Sequence, residues 1–393
     1  MNFAVLQSSV QEYINENLKS DPTALILKGV FFNGVTTAEV VEQIEAKNKC
    51  EKKLPTWFQH SNIYYPNKLN IEQTSSELTA AYKSQIISGK TLIDLTGGFG
   101  VDAYYFGNFF EKVTHCEVNN DLSTIVNHNF DTLNVRNIDT IAEDGLAYLQ
   151  NSSKDYDWIY IDPSRRHDRK GKVFFLKDCL PNVPEHLGLL WAHTKNILIK
   201  TSPLLDLTIG INELEYVKTI HIIAVNNEVK ELLWVLEHGF SGQIEIKTIN
   251  LKNSGSENFE FFIEDEAQVA TVYSEPLSYL YEPNAAVMKS GAFNVLTSAF
   301  EIQKLHKHSH LYTSDALLDF PGRAFQILKS IPYSKKQMKK LAIEKANITT
   351  RNFPDTVQNI RKLFNIKDGG NQYLFFTTDV NNEKTVIVCS KVN

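Results

Sequence analysis

No stretch of the 393 residues approaches the roughly 18 consecutive apolar positions that a membrane helix needs, so no membrane span is expected. Cysteine is scarce. Cys50, Cys116, Cys179 and Cys389 stand far apart and form no C-x-x-C pair, which leaves a zinc site or a disulfide framework without support. The first twenty residues carry one lysine and no apolar core of the kind that directs secretion. A reduced cytoplasmic protein fits these absences. There is no internal repeat and no low-complexity tract. Apolar residues at 42% and charged residues at 22% exclude wholesale disorder, and the length suggests two or three domains.

Charge is unevenly placed. Pro321 to Asn393 hold 13 Lys and Arg against 5 Asp and Glu, a net of +8. The remainder holds 27 basic and 41 acidic residues, a net of −14. A basic module on an acidic body can draw in a polyanion even though the whole chain is at −6. A solvated surface with random charge drift is the plainer alternative. Lys335, Lys336, Lys339 and Lys340 would share one basic helical face.

Residues 1 to about 60 space their apolar positions helically, as in Val40, Val41 and Ile44, and predict a small helical cap. Pro55 and Pro66 should bracket a loop. A helix is expected over Ser75 to Ser88, capped by Ser75 or Ser76 with Glu77 in its first turn. Strands and helices then alternate. Strand candidates are Thr91–Leu95, Lys112–Glu117, Ile138–Ala142, Trp158–Ile161 and Ile197–Lys200, then Thr219–Val225, Gln243–Leu251 and Phe259–Ile263, the last two joined by a turn at Asn253–Ser256. This alternation predicts an α/β fold with a parallel sheet covered by helices on both faces. Beyond about Tyr273 the character changes to a small mixed segment and then the basic terminal module.

The strongest local signal is Asp94-Leu-Thr-Gly-Gly-Phe-Gly100 at the end of the first strand. Ligands of doubly wound sheets sit at strand carboxyl ends, and glycines there let the backbone approach them. Glu117 closes the second strand, 23 residues after Asp94, where a carboxylate can accept both hydroxyls of a ribose. Asp144 follows the third strand and is placed to accept an adenine amino hydrogen. A dinucleotide dehydrogenase shares the late acid, but the loop lacks G-x-G-x-x-G spacing and sets an acid where a pyrophosphate would lie. A cofactor-free α/β core with a tight turn is the bland alternative.

These motifs resemble those of class I S-adenosylmethionine-dependent methyltransferases. The resemblance implies a Rossmann-like sheet with S-adenosyl-L-methionine as cofactor: Asp94, Thr96, Gly97, Gly98 and Gly100 at its amino-acid end, Glu117 on the ribose and Asp144 on the adenine. Glu72-Gln-Thr-Ser-Ser-Glu77 resembles the segment that lines the cofactor pocket in RNA-modifying methyltransferases, and implies that Gln73, Ser75 and Ser76 donate to the cofactor carboxylate. A simple capping motif accounts for the same serines.

Asp162-Pro-Ser-Arg-Arg166 at the end of the fourth strand resembles the D-P-P-aromatic motif of amine and nucleobase methyltransferases. By that resemblance Asp162, Pro163, Ser164 and Arg165 are the catalytic segment, with the acid and neighbouring carbonyls on the acceptor amine. Ser164 replaces the second proline and Arg165 the aromatic, so Arg165 and Arg166 are expected to stack on a base or bind phosphate. Arg169, Lys170 and Lys172 extend that cluster. Lys200 either orients the substrate or pairs with Asp206. D-P-x-R also resembles the carbon-5 uracil methyltransferases, whose ring-attacking cysteine follows the fifth strand. Here that strand runs into Lys200-Thr-Ser-Pro203 without one, and Cys179 reads as a packing residue. Transfer to a nitrogen is the favoured expectation, with an oxygen as the less favoured acceptor.

Tyr279–Lys289 and Phe320–Arg323 resemble a small ferredoxin-like segment, and Arg351–Pro354 with Lys367–Leu374 a THUMP-like domain, of a bacterial methyltransferase family. THUMP domains bind RNA, usually in tRNA-modifying enzymes, so the resemblance implies an RNA partner, tRNA or rRNA. The expected domains are a helical region 1–75, a methyltransferase domain 76–270, a ferredoxin-like segment 271–319 and a THUMP-like domain 320–393. Asp368-Gly-Gly370 reads as a turn of positive φ. The alternating His306, His308 and His310 read as a solvated loop or edge strand before a metal site. Two other function classes stay open: a small-molecule or protein methyltransferase whose tail makes protein contacts, and a noncatalytic RNA-binding protein.

Overall fold

Thr36 and Glu39 cap each other's backbone and start the helix Thr37–Lys53, whose Val40, Val41 and Ile44 are buried as their spacing predicts. Around it lie the helices Ser8–Glu16, Pro22–Lys28, Pro55–Gln59 and Lys68–Gln73. The loop expected between Pro55 and Pro66 is thus shorter than its prolines suggest. Pro55 takes the first helical position, where its missing N–H costs nothing. The next helix, Glu77–Ile86, is capped by Ser76, whose Oγ accepts from the Thr79 N–H at 3.2 Å.

The computed structural model describes residues 1–165, 175–253 and 255–392. It has two compact units, Met1–Val217 with Leu233–Ser241, and Lys218–Leu232 with Gly242–Asn393. Among the described residues no helix is long and apolar enough to cross a membrane. Cys50, Cys116, Cys179 and Cys389 are buried and, among the described residues, form no disulfide.

The strands are β1 Gly89–Asp94, β2 Phe110–Cys116, β3 Ile138–Ile141, β4 Trp158–Ile161, the two-residue β5 Ser164–Arg165 and β6 Cys179–Leu180, β7 Asn196–Thr201, β8 Val217–Val225, β9 Glu228–Glu237, β10 Glu245–Lys252 and β11 Gly255–Phe262. In the first unit the order is β9-β7-β4-β1-β2-β3. The pairs β1/β2, β1/β4, β2/β3 and β4/β7 are parallel. Ile159, Tyr160 and Ile161, like Ile197, Leu198 and Ile199, are buried, the near-continuous apolar runs of a sheet covered on both faces. The chain order reverses between β1 and β4, which is where such sheets bind ligands. β9 escaped the sequence reading because Leu232–Leu236 is an unbroken apolar run, equally compatible with helix and strand.

In the second unit β8 and β10 are parallel, and β10 and β11 form an antiparallel hairpin closed by the pair Lys252 and Gly255. Its expected turn includes Ser254, which lies outside the described residues. A separate sheet contains β12 Tyr279–Pro283, β13 Gln303–Lys304, β14 Tyr312–Ser314, β15 Gly322–Pro332, β16 Lys345–Thr350, β17 Lys367–Thr378 and β18 Lys384–Lys391, in the order β13-β14-β12-β15-β18-β17-β16. Its side chains alternate between two cores. Phe375, Ile387 and Cys389 join Leu280, Leu305, Leu311 and Phe325, whereas Leu374, Phe376, Val386 and Val388 pack with Met338 and Ile360. This is the expected α+β module. Asp368-Gly-Gly370 is no chain reversal. Gly369 and Gly370 do have positive φ, +92° and +85°, but they sit within β17 where its register against β16 shifts.

Candidate active site

β1 ends on Asp94, and the next residues turn tightly over the end of β2. The Thr96 N–H donates to Asp94 Oδ1 (3.0 Å), the Gly97 N–H to the Cys116 carbonyl (2.8 Å) and the Gly98 N–H to Glu117 Oε2 (2.9 Å). A Cβ on Gly97 would lie 2.2 Å from His115 Nε2, and one on Gly145 would lie 2.3 Å from the Leu95 carbonyl oxygen. Glycine is therefore required on both sides of the loop. Gly98, at φ +55°, adds the left-handed turn between them.

This loop forms one wall of a cavity of about 670 Å³ at the carboxyl ends of β1, β2 and β4. Asp94, Asp102, Glu117, Asp144, Asp162 and Glu185 line it and, among the described residues, no lysine or arginine does. Among the described residues a pyrophosphate would meet six carboxylates and no lining cation there, and only Asp102 and Asp162 of the six have a lysine partner, which disfavours the dinucleotide alternative. A cationic ligand is what this lining accommodates. Asp94 makes the point sharply. It is 1% exposed, and burial raises its pKa well above the ordinary carboxylate range. The Thr96 N–H opposes that shift, and the charges of Asp102, Asp162 and Glu117 add to it.

The remaining expected residues divide. Glu117 accepts from the N–H groups of Gly98 (2.9 Å) and Asn119 (2.7 Å), one on each oxygen, so each oxygen keeps a lone pair. Asp144 is exposed and caps the helix Gly145–Asn151 through the Ala147 N–H at 2.9 Å. Gln73, Ser75, Thr96, Gly97, Gly98, Asp162 and Ser164 also line the cavity. Ser75, however, is committed elsewhere. Its hydroxyl donates to Asp102 Oδ2 and accepts from Lys83 Nζ, both at 2.9 Å, so its proton is not offered to a cofactor. Ser76, Gly100, Pro163 and Lys200 are not among the lining residues. Ser76 is the helix cap already described, and Gly100 is the left-handed cap of the helix Val101–Phe106. Lys200 pairs with Asp162, not with Asp206. Asp206 instead caps the helix Leu207–Glu213.

Asp162 is held from two directions, by its own N–H on Thr96 Oγ1 (2.7 Å) and by Lys200 on Oδ2. Ser164 and Arg165 form β5 and pair with Leu180 and Cys179 of β6. The side chain of Arg165, together with Arg166, Arg169, Lys170 and Lys172, lies outside the described residues. Cys179 is fully buried, with Sγ 3.7 Å from the Phe175 carbonyl, as a packing residue should be.

Sequence reasoning missed the polar group beneath the site. Lys83, with no exposed surface, places Nζ 3.1 Å from Asp102 Oδ1, and the Tyr160 hydroxyl donates to Asp102 Oδ2 at 2.8 Å. Burial would raise the pKa of Asp102. The charges of Lys83 and Lys200 and the bonds from Tyr160 and Ser75 outweigh it and hold the pKa below the ordinary value. Asp102, two residues past Gly100, was discoverable from its place after the loop. Lys83 carried no such signal. Lys53 was missed too. Its Nζ donates to the carbonyls of Ile71 (2.8 Å) and Glu72 (2.7 Å), fixing the stretch that brings Gln73 to the rim.

In the second unit Lys335, Lys336, Lys339 and Lys340 are exposed on the helix Lys335–Leu341, with Met338 buried beneath. Both ring nitrogens of His306 are engaged. Nδ1 accepts from the His308 N–H (3.1 Å) and Asn352 Nδ2 (2.9 Å), and Nε2 meets Asn382 Oδ1 at 3.1 Å. The His310 ring packs 3.7 Å from that of Phe293.

Two family models match the C-terminal part: a ferredoxin-like domain over residues 279–321 and a THUMP domain-like model over 322–391. The solved structure of a protein from Porphyromonas gingivalis W83, designated a methyltransferase, superposes at a TM-score of 0.91. Its sequence is 30% identical, and the match covers 100% of both chains. The chain belongs to this methyltransferase family. As a member it carries the ferredoxin-like segment as β12 to β14 and the THUMP-like segment as β15 to β18, joined in one sheet. Part of the chain also matches a Streptococcus mutans protein designated a methyltransferase, solved with SAH (13% identity, 41% of this chain and 97% of that one, TM-score 0.30). Another partial match is an rRNA methylase of Streptococcus thermophilus (12% identity, 41% and 93%, TM-score 0.31). No curated protein matches the chain.

Proposed function

We propose that this methyltransferase-family protein uses S-adenosyl-L-methionine to methylate a nucleobase nitrogen of structured RNA, a tRNA or rRNA. The observation that carries the reading is the acid-lined cavity at the β1/β4 switch point, with Asp94 buried beneath a glycine loop and, among the described residues, without a cationic partner. A ligand bearing an ammonium and a sulfonium supplies the positive charge that Asp94 lacks. Glu117 keeps lone pairs for two ribose hydroxyls, and Asp144 stands at the adenine end.

When bound, the cofactor supplies a methyl group on a positively charged sulfur. The protein's task is then alignment and exclusion of water. Asp162 is the acceptor-side group. Thr96 and Lys200 fix its backbone and Oδ2, and Oδ1 makes no hydrogen bond among the described residues. That oxygen is suited to receive an N–H of the acceptor amine and so direct the nitrogen lone pair. The residues directly after β7, Ser202 to Leu205, include no cysteine, which supports nitrogen over carbon-5 chemistry. The THUMP domain-like match and the +8 terminal charge support RNA.

Calorimetry of the purified protein should show saturable binding of S-adenosylmethionine, and its absence would end the proposal. Mass spectrometry of nucleosides from cells with and without the gene should show one methylated nucleoside missing. Asp162→Ala should bind the cofactor normally and slow transfer on the order of 10²–10⁴-fold. Transfer at full rate would remove Asp162 from this role.

A further inference from the structure

A second cavity, of about 1300 Å³, is lined entirely by residues of the second unit. At its centre is Glu282 of β12, whose side chain is only 4% exposed. Arg323, its register partner on β15, turns Nε (2.9 Å) and Nη2 onto Oε2. Arg351, which follows β16, turns Nε (3.2 Å) and Nη2 (2.9 Å) onto Oε1. One guanidinium would neutralise this carboxylate. The second is surplus, and the trio carries a net positive charge.

Both arginines spend the same edge on Glu282. The Nη1 side of each fork stays out of these bonds, and the two side chains are 45% and 38% exposed. Glu282 thus acts as a splint that sets two guanidinium forks at one opening. Lys391 lines the same cavity and, among the described residues, forms no ion pair. The other cation there, Lys252, is spent on Glu257, which also receives Asn250 Nδ2 (2.8 Å) and Asn284 Nδ2 (3.1 Å). A third carboxylate, the exposed Asp319, also lines the cavity and offsets one charge, so the lining keeps a net charge of +1, carried by Arg323, Arg351 and Lys391. Paired, pre-oriented guanidinium edges match the tetrahedral oxygens of a phosphodiester.

We infer that Arg323 and Arg351, splinted by Glu282 and assisted by Lys391, clamp a backbone phosphate of the RNA substrate in this cavity. The inference rests on the RNA reading above and adds the place where the substrate is held. Glu282 is a positioning residue, since it touches the arginines and not the phosphate.

The test uses the full chain with bulk bacterial tRNA as probe. In Arg323→Lys and Arg351→Lys a lysine still answers Glu282, but its single ammonium has no second edge to offer. Each variant should bind tRNA about tenfold more weakly; because lysine keeps the charge, the slope of log K against log salt should fall by about 1 only in Lys391→Ala. Binding of S-adenosylmethionine should be unchanged. Should either lysine variant melt early, Lys391→Ala, which removes only an exposed side chain, carries the same expectation of weaker binding. Unchanged affinity in the folded variants, with an unchanged salt slope in Lys391→Ala, would overturn this inference while leaving the methyltransferase reading intact. Absence of RNA binding by the unaltered protein would overturn the RNA reading and the clamp together.

Discussion

Asp94 shows how the site's electrostatics work against the fold. Its pKa is raised by burial first and by neighbouring carboxylates after that. A carboxyl group that binds its proton more tightly when folded costs stability as pH rises from its unfolded value, about 4, through its folded value. Asp94→Asn should therefore melt higher than the unaltered protein at pH 8, with a smaller difference at pH 5, and should lose cofactor affinity. Equal differences at the two pH values in thermal melts would contradict this. The acids that end β1 and follow β2 and β4 were legible because a carboxylate at the end of an apolar strand is conspicuous. The fate of Ser75 was not, because its partner Asp102 lies 27 residues along the chain. Nor was the partner of Lys200, since Asp162 lies 38 residues back.

Between elements, the glycine contacts decide how closely loop and sheet can pack. Gly97→Ala and Gly145→Ala should each destabilise by about 1–3 kcal/mol in urea titrations and weaken cofactor binding. Gly145→Ala should be the worse of the two. Its Cβ would strike the Leu95 backbone, whereas that of Gly97 meets the His115 side chain, which can shift. Beneath the same loop, Lys83→Met leaves Asp102 charged and buried, at a cost of about 3–5 kcal/mol. Lys83→Met with Asp102→Asn should recover most of that loss, and a double variant as unstable as the single would refute the pairing. The helices and parallel strands were readable from period and length. β9 was not, because an apolar run without alternation does not distinguish strand from buried helix.

For the whole molecule, the segregated charge matters more than the total of −6. Changing Lys335, Lys336, Lys339 and Lys340 to alanine lowers the terminal net charge from +8 to +4. All four are exposed, so the melting temperature should hold. Affinity for RNA should fall similarly across sequences, and the salt slope should drop by about 1 for each lysine that meets a phosphate. A sequence-dependent loss in filter-binding assays would contradict a purely electrostatic role. The sequence by itself determined the alternation of strands and helices, the glycine loop with its trailing acids, and the basic end. Those features live in local periodicity and composition, which survive without knowing what lies beside what. Only the tertiary structure decided that Lys83 meets Asp102, that Lys200 meets Asp162, and that Glu282 gathers arginines 41 and 69 residues away. Such pairings depend on strand order and register, and the spacing of residues along a chain does not encode which strands become neighbours.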